Sequence, residues 1–250
     1  MPPDHYAQCP KCGHAPPKPL PASARCPACG IYFFKWERAQ APRANETGRT
    51  GSGPRLRDWA RSLLDPLDRL HPAYFYGRCL ALLLLAVWSW RLYGYDYRYA
   101  EINGSFMHNI LLPIHEAGHV FFRVFGEFMS VLGGSLFQLL LPFGIGVAFV
   151  VRNRDNVGAA IALWWTGASL LDLSPYIYDA LVPRMILLGG RTGEDGGHDW
   201  IYLLGAFGDL RNAQQWGSAA HLAGGLLILV SLGWAAVVLW KQRERLGDGD

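Results

Sequence analysis

The sequence predicts an all-α polytopic membrane protein of four to five membrane segments, with a small N-terminal zinc-ribbon module. Three observations lead there. Apolar residues make up 51% of the 250-residue chain and concentrate after position 74, while the first 73 residues are polar, basic and proline-rich. Such a split marks a small soluble module followed by a membrane domain. Two Cys-x-x-Cys pairs lie in the polar part, and a His-Glu-x-x-His motif lies in the apolar part, within residues 112–122.

From the N-terminus, Cys9-Pro10-Lys11-Cys12-Gly13 and Cys26-Pro27-Ala28-Cys29-Gly30 form two knuckles, each with a glycine after its second cysteine. Four thiolates so placed can close tetrahedrally on one zinc, which leaves no position open for catalysis. Residues 1–38 therefore read as a zinc ribbon whose metal supplies its folding energy. Ile31, Tyr32, Phe33, Phe34 and Trp36 are expected to pack over it or to form a docking surface for a protein partner. Paired knuckles point to the reduced, cytoplasmic side. Met1 to Gly13 lacks the apolar core of a secretory signal, so the first membrane segment is expected to stay as an anchor. Cys79 opens an apolar run and reads as a small buried side chain.

Residues 39–54 have the composition of a flexible linker. In residues 55–73, Leu56, Trp59, Leu63, Leu67 and Leu70 recur at helical spacing between arginines. This is an amphipathic helix that either lies at the headgroups or packs on the membrane domain. The membrane domain spans 74–240, and 241–250 is a charged tail. Five apolar segments, near 74–93, 106–128, 131–151, 157–181 and 219–240, approach the ~20 residues needed to cross a bilayer. Basic flanks before residue 79 and after residue 240 both belong in the cytoplasm by the positive-inside rule. Five crossings cannot satisfy both, so one segment is expected to be re-entrant, with 131–142 the candidate because it opens with Gly133-Gly134 and holds Gln138. The net charge of +3 is small and its arginines flank membrane segments, so nucleic acid is not an expected partner. The expected setting is a lipid bilayer, a bacterial inner membrane with the ribbon in the cytoplasm.

On a helix, His115 and His119 leave the same face and can share one zinc, and Glu116 is placed to take a proton from a metal-bound water. Two histidines need a third protein ligand. Asp172 and Asp179 lie seven residues apart on one face of an apolar segment, and an intramembrane carboxylate is a functional candidate by default. His198, after a glycine-rich loop, is a further candidate for ligand or proton donor. His108 can line the same cavity.

His115-Glu116-Ala117-Gly118-His119 in a membrane helix, then glycine-rich sequence and a later Asp-x-x-Pro…Asp segment, resembles the site-2 protease (M50-type) family of intramembrane zinc metalloproteases. The resemblance covers roughly residues 105 to 182. It implies peptide-bond hydrolysis in membrane protein substrates, with zinc on His115, His119 and Asp179 and with Glu116 activating water. Asp172 and His198 are the alternative third ligands. Where the family usually has Asn-x-x-Pro followed by Asp-Gly, Asp172 replaces the Asn, Asp179 comes one residue early and Ala180 stands for the Gly. The stretch Gly133-Gly134-Ser135 is expected to offer backbone to an extended substrate. Two other readings fit the same motifs: a non-catalytic zinc-binding assembly or sensor protein, and a metal-dependent hydrolase of a small amphiphile. A catalytic site keeps a position for water, whereas a structural site fills it with protein.

Overall fold

A computed structural model describes residues 5–21, 23–33, 61–67 and 71–244. The chain divides into two compact units, Met1–Arg55 and Leu56–Asp250. The linker at 39–54, Phe34, Trp36 and most of the charged tail lie outside the described residues.

The first unit is built on turns. β1 (His5–Tyr6) pairs antiparallel with β2 (Leu20–Pro21). In each knuckle the first cysteine's carbonyl accepts from the glycine that follows the second cysteine, Gly13 N–H to Cys9 and Gly30 N–H to Cys26, both at 2.9 Å. Those glycines sit at φ +72° and +75°, a left-handed conformation that a Cβ would strain. Tyr6 stacks on Phe33 at 4.7 Å between ring centres, and with Cys9 and Cys26 they form a core of four buried side chains.

The second unit is helical. Its elements are α1 (Pro72–Gly94), α2 (Phe106–Phe122), α3 (Glu127–Ala148), α4 (Asn156–Asp179), α5 (Asp199–Ala206) and α6 (Ala213–Glu244). Local sequence sets their starts. The imidazole of His71 accepts from Ala73 N–H with Pro72 at the first helical position, the Ser105 hydroxyl accepts from His108 N–H, and Asp155 accepts from Gly158 N–H. Pro175 cannot donate to the Leu171 carbonyl, and the Ser174 hydroxyl donates to that carbonyl instead at 2.7 Å. α4 is buried on nearly all sides, which is why its sequence shows no apolar stripe.

Residues 61–67 do not continue as an amphipathic helix into α1. The helical turn stops by Leu64, because Pro66 disfavours a helical Asp65. The segment is tied down instead: Asn156 donates to the carbonyls of Ser62 and Asp65, and Trp234 Nε1 donates to that of Leu63.

Four helices are long and apolar enough to cross a bilayer: Pro72–Gly94, Glu127–Asn153, Asn156–Asp179 and Leu210–Glu244. Their contacts set their directions. Phe75 clusters with Val157, Val238 and Leu239, so the start of α1, the start of α4 and the end of α6 share one end of the bundle, here called proximal. Tyr93 lies on Gly225 and Tyr178 on Gly217, which places the ends of α1 and α4 with the start of α6 at the distal end. Gly146 meets Ala162 and Gln138 reaches Asp172, so α3 runs antiparallel to α4 and ends proximally. α1 thus rises, α3 descends, α4 rises and α6 descends.

The segment that does not run from one end of the bundle to the other is therefore 106–122, and not 131–142 as the sequence suggested. α1 ends distally and α3 starts distally, so α2 leaves and rejoins the same end. Residues 131–142 lie inside the continuous helix α3. Gly133 and Gly134 are sites of close helix approach instead of a break. A Cβ at Gly118 would fall on the Gly133 carbonyl oxygen, and one at Gly133 would come 2.6 Å from the Gly118 oxygen. Gly133-Gly134-Ser135 is buried in a helix whose amides are already bonded, so it offers no free edge to a substrate strand.

Candidate metal centres

Cys9, Cys12, Cys26 and Cys29 bring their sulphurs within 4.8 Å of one another. Cys9 to Cys29 is 3.7 Å and Cys12 to Cys26 is 3.8 Å. Sulphurs ~2.3 Å from a tetrahedral zinc are about 3.8 Å apart, so the cluster fits that ion. Within the cluster the amide of Cys29, then that of Ala28, favours the thiolate at Cys26, while at Cys12 the amide of His14 is outweighed by hydrogen bonds from the neighbouring thiols, Cys29 first, which push that thiol up. Four donors from two turns close the site.

The second cluster is His115, Glu116 and His119, whose ligand atoms also lie within 4.8 Å of one another. Both histidines leave α2 toward α3, where Gly134 makes room: a Cβ there would be 2.5 Å from His115 Nε2 and 2.6 Å from His119 Nε2. The outer nitrogens are anchored. His119 Nδ1 donates to the Ser130 carbonyl at 2.8 Å, an acceptor only, so Nε2 of the neutral ring carries the lone pair. His115 Nδ1 lies 3.1 Å from Gln138 Oε1, and Gln138 Nε2 donates to Asp172 Oδ2 at 3.0 Å. That orientation of the amide makes Oε1 the acceptor, so His115 also turns a bare Nε2 inward. His108 Nδ1 binds the other oxygen of Asp172 at 2.9 Å.

The carboxylate that the structure brings to this pair is Asp199, which the sequence reading passed over. Its Oδ2 lies 2.9 Å from His115 Nε2 and 3.3 Å from His119 Nε2. Such contacts are made either by a proton on a ring nitrogen or by a cation that the three groups share. Donors ~2.0–2.1 Å from a tetrahedral zinc are about 3.3 Å apart, so two imidazoles and Asp199 fit it.

Asp179 is not brought to the histidine pair. It accepts from the backbone amides of Arg184 and Met185 and so holds the turn after α4. Asp172 is not brought there either, because it supports Gln138 and His108. His198 Nε2 lies 3.5 Å from Asp179 Oδ2, its Nδ1 caps the start of α5, and its ring packs on Tyr176 at 4.3 Å. Tyr176 in turn accepts from Asp199 N–H at 2.9 Å, which fixes the first turn of α5. The available sequence signal was an acidic residue directly after His198, at a helix start behind a glycine-rich loop.

The cluster opens into a cavity of about 690 Å³. His108, Glu116 and Asp199 line one wall, and Met185, Ile186, Leu187 and Leu188 of the α4–α5 connection line the other. Glu116 is exposed to it. The class that fold and sites define is a helical protein with four helices apt for a bilayer and two metal-competent clusters, one closed and one open. Comparison with protein-family models, curated proteins and solved structures finds no match for this chain.

Proposed function

We propose that this chain is an intramembrane zinc metallopeptidase that hydrolyses peptide bonds of membrane-anchored polypeptides. The observation that carries the reading is the convergence of His115 Nε2, His119 Nε2 and Asp199 Oδ2 beside an open cavity, with Glu116 at its edge. Zinc held by these three groups would supply a Lewis acid for the scissile carbonyl and acidify a water. The rest falls to the chain's own residues. Ser130 and Gln138 hold the imidazoles in the tautomer whose Nε2 can ligate. Glu116 takes the water's proton on its carboxylate and returns it to the leaving amine. The apolar wall at 185–188 receives side chains of the unwound substrate. The ribbon's four thiolates hold a structural zinc, and its surface is a candidate docking site for a protein partner.

The cavity also lies within the 300–1,000 Å³ typical of small-ligand sites, which favours a hydrolase of a small amphiphile as the second reading. The test is Glu116→Gln, purified with zinc and incubated with membrane-anchored peptides and with lipid-like esters and amides. Products are read by mass spectrometry. Peptide cleavage should fall by about 10²–10⁴-fold while metal content stays unchanged. Metal without any turnover would give the site to the assembly or sensor reading, and equal turnover in wild type and Glu116→Gln would remove Glu116 as the proton acceptor. Cleavage confined to the small amphiphiles would select the second.

A further inference from the structure

The two ends of the helical unit differ in chemistry, and that difference gives the open site a side of the membrane. Residues 30–71 hold no apolar run long enough to cross a bilayer, so the chain enters α1 from the side that holds the four cysteines. A four-thiolate metal cluster, which Cys9, Cys12, Cys26 and Cys29 can form, is kept in a reducing compartment. The proximal end is thereby cytoplasmic.

Basic residues give the same answer independently. By sequence, Arg55, Arg57, Arg61, Arg69, Arg152, Arg154, Lys241, Arg243 and Arg245 flank the proximal ends of the helices. The distal ends carry fewer, namely Arg91, Arg98, Arg123, Arg184, Arg191 and Arg211, and there Asp96 pairs with Arg98 at 2.8 Å. Lysine and arginine near span ends favour the cytoplasm. The histidine cavity is walled by the α4–α5 connection and the first turn of α5, and these follow the distal end of α4.

We infer that the histidine site opens on the extracytoplasmic side and takes a membrane-anchored polypeptide at the stretch just outside its anchor. The apolar wall at Ile186 and Leu188 suits side chains found next to a membrane anchor. The substrate half rests on the peptidase reading, and the side does not.

The test uses the full chain carrying Cys79→Ser, with Glu194→Cys in the α4–α5 connection or Asn153→Cys at the α3–α4 junction. Intact cells are treated with a membrane-impermeant maleimide, and lysed cells confirm that each thiol can react. Glu194→Cys should label in intact cells, Asn153→Cys should label above the parent only after lysis, and the parent, its ribbon thiols held on zinc, should stay unlabelled in intact cells. Labelling of Asn153→Cys or of the parent in intact cells, or no labelling of Glu194→Cys there, overturns the assignment. None of these readouts needs hydrolysis, so loss of the peptidase reading would leave them standing. Cleavage ends of membrane-anchored substrates should map outside the cytoplasm, and cytoplasmic ends would overturn the substrate half.

Discussion

The two metal-competent clusters differ in how far the chain travels to build them. In the first, four sulphurs come from two turns, and each turn fixes its own pair through a backbone hydrogen bond to a left-handed glycine. In the second, two imidazoles share one helix, but their carboxylate partner lies 84 residues from His115, on a different helix. The first is closed by its ligands. The second is held by a layer of hydrogen bonds behind the ligands and stays open in front. Local geometry suffices for a cluster enclosed by its own ligands, whereas an open cavity needs walls from several elements.

The sharpest way to break the comparison is metal removal. A strong chelator should unfold the first unit, because its four-residue core cannot hold it and a structural zinc supplies about 10–16 kcal/mol of folding free energy. The helical unit should keep its circular dichroism, since its helices pack on one another without metal. Collapse of both, or of neither, would erase the distinction.

Next comes the third ligand. Asp199→Ala should lose the second zinc, by more than the 10–100-fold typical of a residue behind the ligands. Asp179→Ala should keep that zinc and cost about 1 kcal/mol, the worth of a backbone cap. Metal content per chain, measured with the ribbon zinc as internal standard, reads both variants at once. Retention in Asp199→Ala with loss in Asp179→Ala would restore the assignment that the sequence favoured.

A smaller effect probes the layer behind the ligands. Gln138→Leu removes the acceptor for His115 Nδ1 and leaves Asp172 Oδ2 without its donor, while His108 still holds Oδ1. Zinc affinity at the second site should fall about 10–100-fold, read by chelator competition, with no change at the ribbon. Gln138→Glu, which keeps an acceptor for His115, should recover part of it. Equal affinity in all three proteins would mean that the chain of bonds only fills space.

What was legible in the sequence follows the same division. The cysteine knuckles, the His-Glu-x-x-His spacing and the long apolar helices are local patterns, and each was readable without neighbours. The direction of α2 was not, because hydropathy cannot tell a helix that crosses from one that returns to its starting end. Gly133-Gly134 read as a break because glycine signals weak helix, while its use here is to let two backbones touch. Asp179 and Asp172 were expected as third zinc ligands, but their partners are backbone amides for Asp179 and Gln138 and His108 for Asp172. Asp199 escaped because its role depends on α5 packing against α3, which brings its first turn to the histidines of α2.

The contact of Gly118 with Gly133, and of Gly134 with both imidazoles, has a genetic consequence. At these three positions the space for even one methyl group is already taken by backbone or by imidazole rings tied at Nδ1 to Gln138 and Ser130. Every amino-acid replacement adds at least that methyl, so tolerance cannot be graded by size as in an ordinary core. A saturation library should return glycine alone at 118, 133 and 134. Gly144 and Gly205, with nothing within 4 Å of a built Cβ, should accept alanine freely.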